Sequence, residues 1–158
     1  MANDMFLHIP EIEGESHRID HTGHIDVMRW SWGVAQHGSL QRGGNESTSR
    51  ASVGDVTVTK FLDKATPNLY YNCVLGKCFP YFEIINQKAG GDALPYYILK
   101  FEKCIITGVS AEHSDEDPIE AISFSFEKFT ITYKTQSPDG SLGAAIETNW
   151  DIRANQGD

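Results

Sequence analysis

The chain has 158 residues, 40% hydrophobic and 22% charged, a globular composition that favours one domain over residues 1–158. Its formal net charge of −9 argues against nucleic acid and against an anionic membrane surface, both of which call for clustered Lys and Arg. No run approaches the ~20 apolar residues of a membrane span. The opening MANDMFLHIPEIEGES lacks the basic start and apolar centre of a secretory signal peptide, which places folding in the cytosol.

The elements are predicted as follows. Met5 to Ile9 is a short strand ended by Pro10, and Gly14 punctuates the loop after it. Ile25 to Gln36 reads as one long strand, with Met28, Trp30, Trp32 and Val34 on a greasy face and Arg29, Ser31 and Gly33 on a wet one. His37 to Gly54 is polar and Gly/Ser-rich, longer than unstructured connections usually run. Val56 to Thr59 alternates as a strand. The period then changes to helical. Thr66 is expected as N-cap, Pro67 as the first residue of a helix over Pro67–Leu75, and Gly76 as its left-handed C-terminal cap. Leu69, Tyr70, Cys73 and Val74 form one stripe of that helix.

Cys78 to Gln87 is strand-like, with Pro80 marking an edge or a bulge. Tyr96 to Val109 and Ile119 to Thr135 are long strands. In the second, large apolar residues keep one parity through Ile122, Phe124 and Phe126 and the other at Phe129, Ile131 and Tyr133, which predicts a β-bulge near Glu127–Lys128. Ala144 to Ile152 closes the chain as a last strand. The fold class is mainly β, a small barrel or two-sheet sandwich with one short flanking helix.

Chemistry-bearing residues are few. His17, His21 and His24 stand as H-x3-H-x2-H, but with no Cys, no helix to fix geometry and no fourth ligand, so solvated loop histidines and no metal are expected. Asp115, Glu116 and Asp117 lack the alternating ligands of a calcium loop and read as a solvated turn. Cys73 and Cys78 have no second pair and are expected as buried small hydrophobes; with Cys104 they are expected as reduced thiols. No nucleophile elbow, phosphate loop, dinucleotide fingerprint or zinc-protease motif occurs. An interaction or structural module with no catalysis and no cofactor is the expectation. A small-ligand-binding barrel is the alternative, weakened by the aromatic side chains that would fill its interior.

Five pieces occur in order: GES (Gly14 to Ser16), IDVMRWSWGVAQ, VTKFLDKATPNLY, the strand from Ile119 to Tyr133, and a closing WD-x3-N of Trp150, Asp151 and Asn155. Together they resemble the Hcp family, the haemolysin-coregulated proteins of bacterial type VI secretion. The run K-x2-D-K-A-[ST]-P-x-L at Lys60 to Leu69 is the most specific piece. The resemblance implies a barrel with one helix on its flank and a homohexameric ring with a wide channel. It also implies stacked rings that form a tube driven out by a contractile sheath. The implied partners are further copies of the chain, the spike protein, the sheath and effector proteins carried in the channel. Export through the apparatus itself would need no signal peptide. Relatives that carry a toxic enzyme after the barrel continue further, and the chain ending after WDIRANQGD is expected to lack it. The loop from Gly38 to Ser52, with Leu40, Gln41, Arg42, Gly43, Gly44 and Asn45, is expected to contact the next ring.

Overall fold

The structure is a computed structural model that describes residues 3–18, 20–36, 51–88, 94–139 and 141–157. In chain order the elements are β1 (Asn3–His8), β2 (Ile25–Val27), β3 (Arg29–Ser31), β4 (Val34–Ala35), β5 (Ser52–Val53) and β6 (Val56–Phe61). After them come α1 (Thr66–Leu75), β7 (Cys78–Lys88), β8 (Pro95–Glu112), β9 (Ile119–Gln136) and β10 (Leu142–Asp151). One antiparallel sheet runs β2-β1-β7-β8-β9-β6-β3, and β10 adds to β9.

The long strand expected over Ile25 to Gln36 is divided. Its first part pairs with β1 and its second with β6, at opposite ends of the sheet. Between them, Met28 N–H donates to Thr59 O at 2.9 Å. One stretch of chain therefore joins both ends of the sheet and nearly closes it into a barrel, where both end strands gain a partner. The third part, β4, turns away to pair with β5 in a separate ribbon. The loop expected over His37 to Gly54 is corrected at its end, where Ser52–Val53 is strand; residues 37–50 lie outside the described residues. Met28 and Val34, expected on the buried face, are exposed. Trp30 and Trp32 are half-buried, with ring N–H groups on Asn86 Oδ1 at 2.8 Å and Gly54 O at 3.1 Å. A tryptophan at such a site buries its rings and keeps its donor satisfied.

Aromatic rings fill the barrel. Phe82 stacks on Phe124 at 4.2 Å and on Phe101 at 4.8 Å, and Trp32 meets Phe129 edge-on at 4.9 Å. Leu7, Ile25, Val58, Leu99 and Ile122 complete the core.

The parity change in β9 is present: Phe126 and Phe129 are both buried, with Glu127 and Lys128 between them. It is not the two-against-one bulge expected. The pairs Glu102↔Lys128 and Cys104↔Phe126 keep the same register on either side. The reason lies in the neighbours. In β8 the buried set moves from Leu99 and Phe101 to Cys104 and Ile106, with Lys103 at φ 52° between; in β7 it moves from Phe79 to Phe82 and Ile84. Three adjacent strands switch faces at one level, so the sheet is creased and no residue is left over. The register shift between β8 and β9 falls instead between Ile106 and Gly108. Pro80 sits at the crease, on a stretch of β7 that β1 does not cover, so its missing N–H costs no ladder bond.

The run from Lys60 to Leu69 is a strand-to-helix corner locked around a buried ammonium. Lys60 is 0% exposed. Its Nζ reaches Asp63 Oδ1 at 2.8 Å, Phe61 O at 2.9 Å and Glu120 Oε1 at 3.1 Å. Asp63 Oδ1 also accepts from Ala65 N–H at 3.0 Å. Thr66 is not the N-cap. Ala65 holds that position in helical φ/ψ, and no side chain caps the helix. The Thr66 hydroxyl instead accepts from Asp63 N–H at 3.1 Å, so its bond reaches back into the turn, and Pro67 is the second helical residue. Gly76 ends the helix as expected, at φ 64°, with its N–H on Cys73 O and the Lys77 N–H on Asn72 O, the paired bonds of a Schellman ending. Thr66→Ala should cost about 1 kcal/mol, the worth of one local hydrogen bond. A urea midpoint equal to that of the unchanged protein would show that the turn holds without it.

Candidate functional site

Three surfaces are left incomplete by this fold. The first is β10. It pairs with β9 alone among the described strands. Of the residues that alternate along one face of it, Ala144, Ile146, Thr148, Trp150 and Ile152, only those at the Trp150 end are partly covered. Ile146 is 65% exposed, and Tyr133, directly across from it on β9, is also exposed. Beside them Tyr133 meets Tyr97 edge-on at 6.2 Å, and Tyr97 stacks on Trp30 at 6.0 Å. An open strand edge with apolar side chains beside it is an addition site for another chain. At the far end Asp151 and Gln156 bridge, Asp151 Oδ1 accepts from Ala154 N–H at 2.9 Å, and Asn155 takes φ 58°. The closing WD-x3-N is thus a turn that finishes the strand.

The second surface is the outer face of α1. Of the stripe Leu69, Tyr70, Cys73 and Val74, Leu69 is buried and Cys73 half-buried, whereas Tyr70 and Val74 are exposed, Val74 to 85%. With Tyr71 and Leu75 they form an apolar arc on a helix without a charged residue. Sequence periodicity finds a stripe but not its direction; here the helix has more apolar residues than one contact face can take.

The third is the β4–β5 ribbon, in which Val34 faces Val53 and Ala35 faces Ser52. The expected contact residues Leu40, Gln41, Arg42, Gly43, Gly44 and Asn45 lie outside the described residues.

The titratable groups do not converge on a reaction centre. Among the described residues no three His, Cys, Asp or Glu side chains are grouped to hold a metal ion. The expected trio of solvated loop histidines is corrected: His17 is exposed, but His21 is buried at 5% exposure. It joins His24 and, from β1, His8. Sequence spacing missed His8 because it reaches the 16–24 loop only in the fold, where β1 lies beside β2. The His24 imidazole is lowered to about 4, first by burial and then by His8 and His21. Asp115, Glu116 and Asp117 are exposed. All three thiols are free. Cys104 is buried and pushed up to about 12, chiefly by burial; Cys78, expected inside, points out.

Lys60 and Glu120 were also legible in principle. Val56, Val58 and Lys60 share a parity, as do Glu120, Ile122 and Phe124, and Lys60 lies directly opposite Glu120. Opposite charges that end two apolar stripes signal a buried pair.

A barrel-like sheet with a packed aromatic interior, one flanking helix and an open apolar strand edge defines a small β-barrel protein of the mainly β class. Its family follows from comparison. Residues 6–133 match the model of the type VI secretion system effector Hcp. Protein hcp1 of Pseudomonas aeruginosa is 36% identical over 98% of both chains. A solved type six secretion system protein superposes with a TM-score of 0.93 at 25% identity, covering 99% of this chain and 100% of that one. Hcp1 from Salmonella typhimurium superposes at 0.85 with 29% identity over the whole of both chains. The chain belongs to the Hcp family of type VI secretion proteins.

Proposed function

We propose that this chain is the one-domain subunit of a homohexameric ring. The rings stack into the inner tube of the secretion apparatus, travel out with the spike when the sheath contracts, and carry effectors in their lumen. The protein acts by assembly, without catalysis, metal or cofactor, and moves from the bacterial cytoplasm through the apparatus. The observation that carries this reading is the open edge of β10 with Ile146 and Tyr133 exposed beside it, in a chain of this family. One edge per subunit, docked on a different surface of the next copy, is a heterologous contact, and such contacts close into rings. The alternative of a small ligand inside the barrel meets an interior already filled by Phe79, Phe82, Phe101 and Phe124, each at most 1% exposed. Native mass spectrometry at micromolar concentration tests this directly: a single species of six chains is expected. A monomer that retains a small molecule would replace the tube reading with the ligand-binding one.

The same reading assigns the segment with Leu40, Gln41, Arg42, Gly43, Gly44 and Asn45 to contact between stacked rings. It is polar, it lies in sequence between the paired strands β4 and β5, and Leu40 and Arg42 supply an apolar anchor and a donor fork. Replacing Gln41 to Ser49 by a tight Asn-Gly turn should leave rings intact by native mass while abolishing tubes in electron micrographs and export in culture. Normal tubes and export from the shortened chain would make the segment dispensable.

A further inference from the structure

We propose that His8, His21 and His24 form a proton-sensitive latch that holds the segment from residue 10 to residue 24 against the barrel and releases it on acidification. The rings make a continuous series. His21 stacks on Phe6 at 4.5 Å, His24 follows at 5.2 Å from His21, His8 lies 4.6 Å from His24, and Tyr81 lies 6.0 Å from His8.

The hydrogen bonds set the protons. His21 Nε2 faces Gln87 Oε1 at 2.9 Å, so Nε2 carries the hydrogen and donates. In the neutral ring Nδ1 is then an acceptor, and His24 Nδ1, 3.3 Å away, is the donor to it. A second proton on His21 would place two N–H groups head to head. A second proton on His24 would put a cation in a half-buried site packed against His8. Acid therefore opposes the contact at either ring.

The surrounding charges offer His24 no ready counter-ion. On β1, Asp4 is paired with Arg18 at 3.2 Å. In the segment, Glu13, beside Gly23, pairs with Lys64 at 3.4 Å. On β2, Asp26 lies opposite Phe6, the ring His21 stacks on; its carboxyl is raised above the usual carboxylate range, chiefly by burial, and Ser16 is its hydrogen-bond partner. On β7, Glu83 is opposite His8 and beside Lys100, which also covers the Tyr81 ring at 4.8 Å.

What the latch holds is defined by the backbone. Gly14 N–H donates to Gly23 O at 2.7 Å, Ser16 N–H to His24 O at 3.0 Å and Gly23 N–H to Ser16 O at 3.0 Å. The same segment reaches both ends of α1: Glu15 accepts from Lys64 N–H at 3.0 Å, and Glu11 pairs with Lys77. Release of the segment frees the strap that brackets the helix.

The direction of the pH effect follows from His24. Its folded pKa of about 4 lies below the ordinary 6.5, so the open state binds more protons between those values. The latch is complete above about pH 6.5, weakens as the pH falls towards 4, and changes no further below it.

Hydrogen exchange on the full chain at about pH 7 and about pH 5, corrected for intrinsic rates, tests the proposal. Protection of the Gly14, Ser16 and Gly23 amides should fall about tenfold while β8 and β9 stay protected, the scale expected from linkage through one partly screened histidine. In His24→Asn, whose amide donates without titrating, that pH difference should shrink by about threefold or more, His21 alone remaining to respond. Imidazole 15N shifts of the unchanged protein provide a second readout should the variant fail to fold. His21 should show Nε2–H and His24 Nδ1–H at neutral pH, with His24 titrating well below the ordinary value. Titration of His24 near 6.5, or loss of protection spread evenly through β8 and β9, would overturn the latch.

Discussion

Lys60→Ala should destabilise the protein by about 3–5 kcal/mol, the loss expected when one member of a buried ion pair is removed and its partners stay behind. Glu120, wholly buried, has the Lys60 ammonium as its ion partner at 3.1 Å, and its oxygens accept no hydrogen bond among the described residues. Asp63 would lose its 2.8 Å partner as well, and with it the anchor that positions the Ala65 N–H at the start of α1. The effect should appear as a lower urea midpoint at unchanged slope. The double variant Lys60→Met with Glu120→Leu separates charge from packing. Because it removes the buried Glu120 charge and refills the volume, it should recover about half of the loss, Asp63 alone remaining without its cation. Lys60→Ala within ~0.5 kcal/mol of the parent, the range of ordinary surface changes, would show that water reaches the carboxylates.

Gly14→Ala should be the most damaging glycine-to-alanine change among the described glycines. A Cβ at Gly14 would meet His24 O at 2.5 Å, Ile25 Cα at 2.7 Å and His24 C at 2.8 Å. All three are backbone atoms, which cannot swing aside as the end of a side chain can. Accommodation must part the two strands of chain, straining the Gly14–Gly23 and Ser16–His24 hydrogen bonds and the histidine contacts behind them. Overpacking of a tight site costs about 1–3 kcal/mol, and loss of backbone pairing places this case at the upper end. Gly33→Ala is the control. Nothing lies within 4 Å of its Cβ position, so it should be neutral or stabilise by about 0.4–1 kcal/mol through the unfolded chain. Equal melting temperatures for Gly14→Ala and Gly33→Ala would show that close approach is not why glycine stands at position 14.

These two sites lie inside the motifs that made the family legible. GES is a glycine at a backbone crossing followed by a buried serine, and K-x2-D-K-A-T-P is a buried cation that ties a strand to a helix. Local chemistry at a corner leaves residue types that no other arrangement needs, so such pieces are readable one residue at a time. The helix C-terminus was readable for the same reason: Gly76 at φ 64° suits a residue without a Cβ. The N-terminus was misread because Thr66 has two hydrogen-bonding choices, and Asp63 N–H lies closer to hand than the first turn of the helix.

By itself the sequence determined a mainly β chain with one short helix, the long strands β8 and β9, and the parity change at Glu127–Lys128. These rest on period and local propensity, which act over a few residues. Tertiary structure alone decided three other things. It divided Ile25 to Gln36 among three partners, because a strand is defined by what it pairs with and both sheet ends lay open to it. It turned the expected bulge into a crease, because β7 and β8 switch faces at the same level. And it left Ile146, Tyr133 and Val74 outside, because burial depends on which apolar face finds a neighbour, and this fold covers only one side of its helix and one end of its last strand.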